Sequence, residues 1–395
     1  MTFVIVSACN KKESIEEHPY LIVLSLDGFR WDYPQFANTP TLDSLRNVGV
    51  MAESLKPSFP TKTFPNHYTI ATGLYPDHHG IVMNNFYAPD LAKQYSLRDR
   101  ESIADGSFYG GEPIWVTTEQ QNLKAATLFW VGATAEIKNK RPTFWSYYDE
   151  ELPFKSRIDS IYSWLNLPEI ERPHLIMVYY HEPDLTGHIN GPDSPELIAE
   201  VEKLDNYLNT LFTELRKLEI YNQLNFIITS DHGMSNISKE RQIILDHIID
   251  TSDIEYWDGS NPNYNLKVKE GLIDKVYNEL KSAQDNYQVW KHGELPERLH
   301  YGNNIRTHDM TIVPNEGWSI YWSWASSNSM GTHGFDNDIK DMHAIFYAAG
   351  PAFKSDYTHP TFENVNLYIL FSKILNINPV ETDGSITNVE KMLKK

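Results

Sequence analysis

LIVLSLDGFR, residues 21–30, is a short apolar run that stops on an acid, Asp27, followed at once by a glycine. Continuous rather than alternating apolarity marks a strand covered on both faces, the usual state of a parallel sheet. Residues 175–180, 226–229 and 344–348 have the same character. The first two of these also lead within a few residues into acids, Asp184 and Asp231. Ligands of open α/β sheets bind beyond the carboxyl ends of the strands. Parallel pairing of these strands therefore predicts that Asp27, Asp184 and Asp231 converge on one edge. The expected fold class is α/β, with a mostly parallel central sheet flanked by helices on both faces.

Helices are predicted between the strands. Asp193-Ser194-Pro195 opens the clearest one, with Ser194 as N-cap and Pro195 in the first helical position. Leu197, Val201, Leu204, Leu208, Leu211 and Leu215 then recur at three- and four-residue steps, the stripe of a core-facing helix. A second helix is expected from about Asn66 to Gly73, with Thr63 just before its N-terminus, where free N–H groups favour an anion. Residues 250–324 change character. A helix over 272–283, flanked by strand-like 287–290 and 310–313, reads as a small inserted α+β subdomain within one domain spanning 19–390.

The composition bounds the function. The 395 residues are 41% hydrophobic and 13% aromatic, which fits a well-cored protein and excludes a disordered chain. A net charge of −19 disfavours a protein that holds nucleic acid through its phosphates. The single cysteine, Cys9, rules out an intrachain disulfide. Its setting, a short apolar run (Phe3 to Val6) and then Ser7-Ala8-Cys9, reads as the end of a bacterial lipoprotein leader over 1–18, with lipidation of Cys9 as membrane anchor. That reading predicts a periplasmic or cell-surface location. A monomer is expected.

Four motifs carry the chemistry: Asp27 in the opening stretch, Asp184 and His188 in HEPDLTGHINGP, Asp231 and His232 in IITSDHGM, and His333 in MGTHGFDND. An aspartate after a strand is often only a turn residue. Adjacent Asp231-His232 and the Asp184/His188 pair four residues apart are stronger signals. Six such donors gathered at one sheet edge can hold two divalent cations. FPTKTFPNHY adds Thr63, a hydroxyl too weak to attack unless activated. Two cations roughly 4 Å apart can activate it and stabilise both ends of an in-line phosphoryl displacement. Asn84 could donate its amide to a phosphate oxygen.

PTKTFPNHYTIATGLYPDHHGIV, LSLDGFRWDY, EPDLTGHINGP, SDHGM and THGFDND closely resemble the motifs of the nucleotide pyrophosphatase/phosphodiesterase family of the alkaline phosphatase superfamily. The resemblance spans roughly residues 19–371. It implies an alkaline-phosphatase-like core and two zinc ions, although aspartate and histidine also accept manganese or iron. One zinc would be held by Asp184, His188 and His333, the other by Asp27, Asp231 and His232 with Thr63 beside it. It further implies a covalent phosphothreonine diester that water then hydrolyses, with Asn84 on a phosphate oxygen. Phe64 and Tyr148 match positions whose rings sandwich a nucleobase, and Tyr179 another pocket aromatic. The implied substrates are nucleotide phosphodiesters or pyrophosphates, with choline or lysophospholipid head groups as the alternative. One departure is visible: Trp130-Val131-Gly132-Ala133 stands where the family often has Trp-Pro-Gly-Ser. A sulfatase would need a Cys/Ser-x-Pro-x-Arg motif, and Cys9 in the leader cannot supply it. A phosphomonoesterase would call for an arginine clamp on its extra charge, and Arg30 lies three residues beyond its ligand.

Overall fold

The computed structural model describes residues 18–394; the leader reading and Cys9 lie outside them. Seven strands form the central sheet: β1 (Tyr20–Leu26), β2 (Val50–Ala52), β3 (Ala125–Leu128), β4 (Leu175–Tyr180), β5 (Leu224–Thr229), β6 (Phe346–Ala349) and β7 (Tyr357–His359). Their order is β7-β2-β6-β5-β1-β4-β3. β1 is central and pairs in parallel with β4 on one side and β5 on the other.

Every residue of β1 is buried, and alternate side chains enter two different cores. Leu21 and Val23 pack with the face covered by helices Thr63–Thr72 (α1), Ile114–Gln120 and Leu367–Leu375. Ile22, Leu24 and Leu26 pack with the face covered by Pro40–Val48, Phe154–Leu165 and Pro195–Leu215. This two-faced burial is why the strand reads as continuously apolar.

The helix Pro195–Leu215 begins as its sequence requires: the Ser194 hydroxyl accepts the Leu197 N–H. The whole predicted leucine and valine stripe is buried, and each such side chain contributes roughly 1.5–3 kcal/mol.

Two expectations need correction. The run 344–348 forms β6 over Phe346–Ala349, and it is antiparallel to both β5 and β2. A parallel return needs a crossover of about a dozen residues or more. His333 already stands at the carboxyl edge of the sheet, so the chain has only to turn and run back down. The second correction concerns α1, which starts at Thr63 rather than near Asn66. Pro65 sits inside its first turn, where a missing N–H costs nothing.

Between β5 and β6 the chain builds a separate four-stranded antiparallel sheet from Ile254–Ser260, Asn263–Val268, Tyr287–Lys291 and Met310–Pro314. Helix Ile273–Ser282 covers it through Val276 and Leu280, giving a core of its own.

Candidate active site and metal centre

Backbone contacts tie the three strand ends together. The Asp27 N–H donates to the Tyr180 carbonyl and the Asp184 N–H to the Asp27 carbonyl, at 2.8 and 3.0 Å. The Gly28 N–H donates to Asp231 Oδ1 at 3.2 Å and the Phe29 N–H to the Ser230 hydroxyl at 2.9 Å. Gly28 has φ +66°, and a Cβ there would lie 2.8 Å from the Asp184 side chain. No larger residue lets the loops after β1 and β4 close this tightly.

The six expected donors come together. Asp27, Asp231 and His232 offer atoms within 4.8 Å of one another, and so do Asp184, His232 and His333. His232 thus belongs to both groups. His188 joins through Asp184, with Nε2 3.4 Å from Asp184 Oδ2. The rings of His232 and His333 stack with centroids 3.6 Å apart.

The donor set itself tests whether a metal ion fits. All three histidines direct Nδ1 at a backbone carbonyl: His188 to Gly331 at 2.9 Å, His232 to Gly233 at 2.9 Å, and His333 to Thr61 at 2.7 Å. That hydrogen bond sets the tautomer and leaves each Nε2 with a free lone pair, the outer-shell arrangement of metal-ligating histidines. His232 Nε2 then lies 3.0 Å from Asp231 Oδ2. Two lone pairs at that separation repel unless a cation or proton sits beside them. The buried oxygens Asp27 Oδ1, Asp184 Oδ1 and Asp231 Oδ2 have no hydrogen-bond partner. Orphaned buried acceptors of this kind call for an ion. The residues fit a pair of divalent cations.

Electrostatics agrees at Asp27 and His333; at His232 burial lowers the imidazole but the Asp231 carboxylate outweighs it and raises it, a proton that a bound cation would replace. Burial, then the neighbouring Asp231 and Asp184 carboxylates, pushes the Asp27 carboxyl well above the usual range. Burial works against the Asp231 carboxylate too, but His232 and His67 outweigh it and hold Asp231 well below that range. Burial, with His232, Lys62 and His188 nearby, drives the His333 imidazole well below its ordinary value. A neutral imidazole is the form that ligates metal.

Thr63 occupies the first turn of α1, with Oγ1 3.3 Å from His232 Nε2. The Phe64 N–H donates to Asn84 Oδ1 at 2.9 Å. This bond fixes the orientation of the Asn84 amide and leaves its NH2 as a donor. The Tyr179 hydroxyl donates to Asp27 Oδ2 at 2.6 Å, so Tyr179 supports a ligand as well as walling the cleft. Thr63, Phe64, Asn84, Tyr148, Tyr179 and four of the donors, Asp27, Asp184, His188 and His333, open into one cleft of about 410 Å³, with Asp231 and His232 fully buried behind them. A hollow of about 530 Å³ lies where β5 begins at Leu224, at the other end of the sheet, and neither donor group borders it.

Sequence reasoning missed three contributors. His67, four residues after Thr63, is fully buried, with Nε2 2.9 Å from the Ser25 hydroxyl and Nδ1 3.3 Å from Asp231 Oδ2. Placing the helix start at Thr63 would have put His67 on the same face. Lys62 is buried beside Asp184, its amine pushed down to about 7 by that burial. Arg98 lines the cleft from the loop after strand Lys93–Ser96, and no local pattern marks it. Arg30 is committed elsewhere, to Asp32, Asp193 and Asp341.

Residues 21–336 match the family described as type I phosphodiesterase / nucleotide pyrophosphatase. Human ectonucleotide pyrophosphatase/phosphodiesterase family member 5 is 37% identical over 374 residues, 94% of this chain and 78% of that protein. The venom phosphodiesterase CdcPDE of Crotalus durissus collilineatus is 35% identical over 391 residues, 96% of this chain and 47% of the venom protein. The chain thus spans about half the length of that venom enzyme. The solved structure of murine ectonucleotide pyrophosphatase/phosphodiesterase 5 superimposes with a TM-score of 0.91 at 36% identity, covering 95% of this chain and 100% of the murine one. The chain belongs to the type I phosphodiesterase / nucleotide pyrophosphatase family, and its core is the α/β fold of the alkaline phosphatase superfamily.

Proposed function

We propose that this chain is a zinc-dependent phosphodiesterase/pyrophosphatase that cleaves nucleotide phosphodiester or pyrophosphate bonds, releases nucleoside 5′-monophosphates, and works through a covalent intermediate on Thr63. The observation that carries the proposal is the free hydroxyl of Thr63 set beside two converging donor groups at the mouth of one cleft. When bound, a zinc pair would supply the positive charge that activates a hydroxyl and offsets phosphoryl charge. Asp184, His188 and His333 would hold one ion, and Asp27, Asp231 and His232 the other.

The chain's own residues do the rest. Thr63 Oγ1 forms the new bond to phosphorus as the bond to the leaving oxygen breaks. The Asn84 NH2, oriented by the bond from the Phe64 N–H to Asn84 Oδ1, would donate to a phosphoryl oxygen. Water then breaks the Thr63–phosphorus bond, and two inversions give retention. Phe64 and Tyr148 supply ring faces for a base. An AMP complex of an inactive variant of murine ectonucleotide pyrophosphatase/phosphodiesterase 5 supports a nucleotide over a choline or lysophospholipid head group. Lipid anchoring through Cys9, a bacterial periplasmic or cell-surface location, a monomeric state and a single catalytic domain over 19–390 belong to the same proposal.

Two outcomes are expected. Bis(p-nitrophenyl) phosphate should be hydrolysed, chelation should abolish turnover, and added zinc should restore it; turnover indifferent to chelation sinks the metal assignment. Phe64→Ala should raise KM for thymidine 5′-monophosphate p-nitrophenyl ester by roughly 5- to 100-fold, the equivalent of one stacked base. The same substitution should change KM for bis(p-nitrophenyl) phosphate far less. Equal effects on both substrates would remove Phe64 from the base site.

A further inference from the structure

Among the residues that line the cleft, Arg98 is the one lysine or arginine. The proposed reaction leaves its charge unused. The three carboxylates Asp27, Asp184 and Asp231, set against two divalent cations, leave one positive charge. A phosphodiester carries one negative charge, which cancels it. A substrate with a second phosphate brings charge that the donor groups do not meet.

The neighbouring cations are committed elsewhere. Lys62 is buried and donates to the Asn261 carbonyl at 3.0 Å. Arg30 is held by its three acids. Arg100 lies over the Tyr147 ring, 5.4 Å from its centroid. Arg141 donates to the Thr134 carbonyl and pairs with Glu136. Arg98 is exposed, and its one hydrogen bond among the described residues is made by its backbone N–H, to the Ser96 hydroxyl at 3.4 Å. Its guanidinium is left for a ligand.

A solvated arginine on a loose loop would do nothing here, but the backbone that carries Arg98 is fixed on both sides. The Leu97 N–H donates to the Asn84 carbonyl at 3.1 Å, and the Asp99 N–H to the Ser96 carbonyl at 3.0 Å. The Asp99 carboxylate accepts the Glu101 and Ser102 N–H groups, which occupies the acid nearest in sequence. The hairpin of Asn85–Ala88 and Lys93–Ser96 sets Asn85 opposite Ser96. Arg98 is thus mounted on the same wall as Asn84, whose side chain accepts the Phe64 N–H. The planar fork of a guanidinium matches the oxygens of a phosphate.

We propose that Arg98 is a specificity-determining residue that binds a second phosphate of the nucleotide, one other than the phosphate being cleaved. This rests on the phosphodiesterase reading above and names a further feature of its substrate.

Three thymidine substrates test it, with zinc present throughout: the 5′-monophosphate p-nitrophenyl ester, the same ester carrying a 3′-phosphate, and the 5′-triphosphate. Arg98→Gln should raise KM for a substrate with a second phosphate by roughly 5- to 20-fold more than for the simple ester, the effect of a charge-assisted pair discounted for exposure. A rise confined to the 3′-phosphate ester places that phosphate on the ribose, and one confined to the triphosphate places it in the leaving group. Arg98→Lys keeps the charge without the fork and should recover part of the loss. Calorimetric affinities of the thymidine 5′-monophosphate, 3′,5′-bisphosphate and 5′-triphosphate, compared between Thr63→Ala and Thr63→Ala/Arg98→Gln, give a readout independent of turnover and should show the same contrast. Equal effects on all three substrates, with affinities equally indifferent to the second phosphate, overturn the role of Arg98 and leave the phosphodiesterase reading standing. Affinities that depend on Arg98, with no turnover of any substrate by the wild-type protein, do the reverse.

Discussion

Thr63→Ala should lower turnover of bis(p-nitrophenyl) phosphate by roughly 10³-fold or more, as removal of a covalent nucleophile does in other hydrolases. The structure explains why so large a loss should come without loss of fold. The Thr63 hydroxyl makes one side-chain contact, to His232 Nε2, and supports neither the Ser194-type cap nor any core residue. Alanine is a good residue for the first turn of a helix. Zinc content and thermal midpoint should therefore match the wild type within error, separating a lost nucleophile from a lost site. Serine at the same position keeps the hydroxyl and should recover part of the activity. Full activity in the alanine variant would mean that water attacks phosphorus directly.

His232→Ala carries the second large effect, and it should appear in binding before it appears in rate. His232 is the one residue that belongs to both donor groups. It is also fully buried, stacked on His333 and 3.0 Å from Asp231 Oδ2. Its loss removes a ligand and leaves the Asp27 and Asp231 carboxylates facing each other across a void. Such close like charges resist joint ionisation. The variant should bind less than one zinc per chain, and turnover should drop by about 10³-fold. A ligand that binds the folded state alone stabilises it by about 2.7 kcal/mol at a hundred times its dissociation constant. Zinc should accordingly raise the thermal midpoint of the metal-free wild type and leave that of the variant nearly unmoved. His188→Ala, at the outer edge of one group, should still hold one ion. Two zinc ions per chain in His232→Ala would sink the shared-ligand geometry.

Several features were readable from single stretches of chain because short-range physics decides them. Apolar continuity in 21–26 reports burial on both faces, and β1 is buried at every residue. The Ser194-Pro195 start and the leucine stripe to Leu215 follow from capping and from a period of 3.6. The acid after each strand marks the edge at which ligands gather. Where the reading slipped, a longer-range constraint had won. Residues 344–348 have the composition of any buried strand, and nothing in them tells direction. The chain's position at His333 decides that β6 runs back. Pro65 suggested a helix start after it, yet the free first turn of α1 accommodates proline and Thr63 becomes helical.

The site divides in the same way. Residue types and their order along the chain already specified the donors: carboxylates and imidazoles placed just past strand ends, and one hydroxyl at a helix mouth. They could not specify who supports whom. Ser25 meets His67, Tyr179 meets Asp27, and three backbone carbonyls turn three imidazoles so that Nε2 faces inward. The reason is the range of the forces involved. Capping, periodicity and burial act over a few residues and leave their mark in local sequence. Sharing His232 between two groups depends on bringing Asp27 and His333, each more than 100 residues away along the chain, against it. Only the closed fold sets those distances.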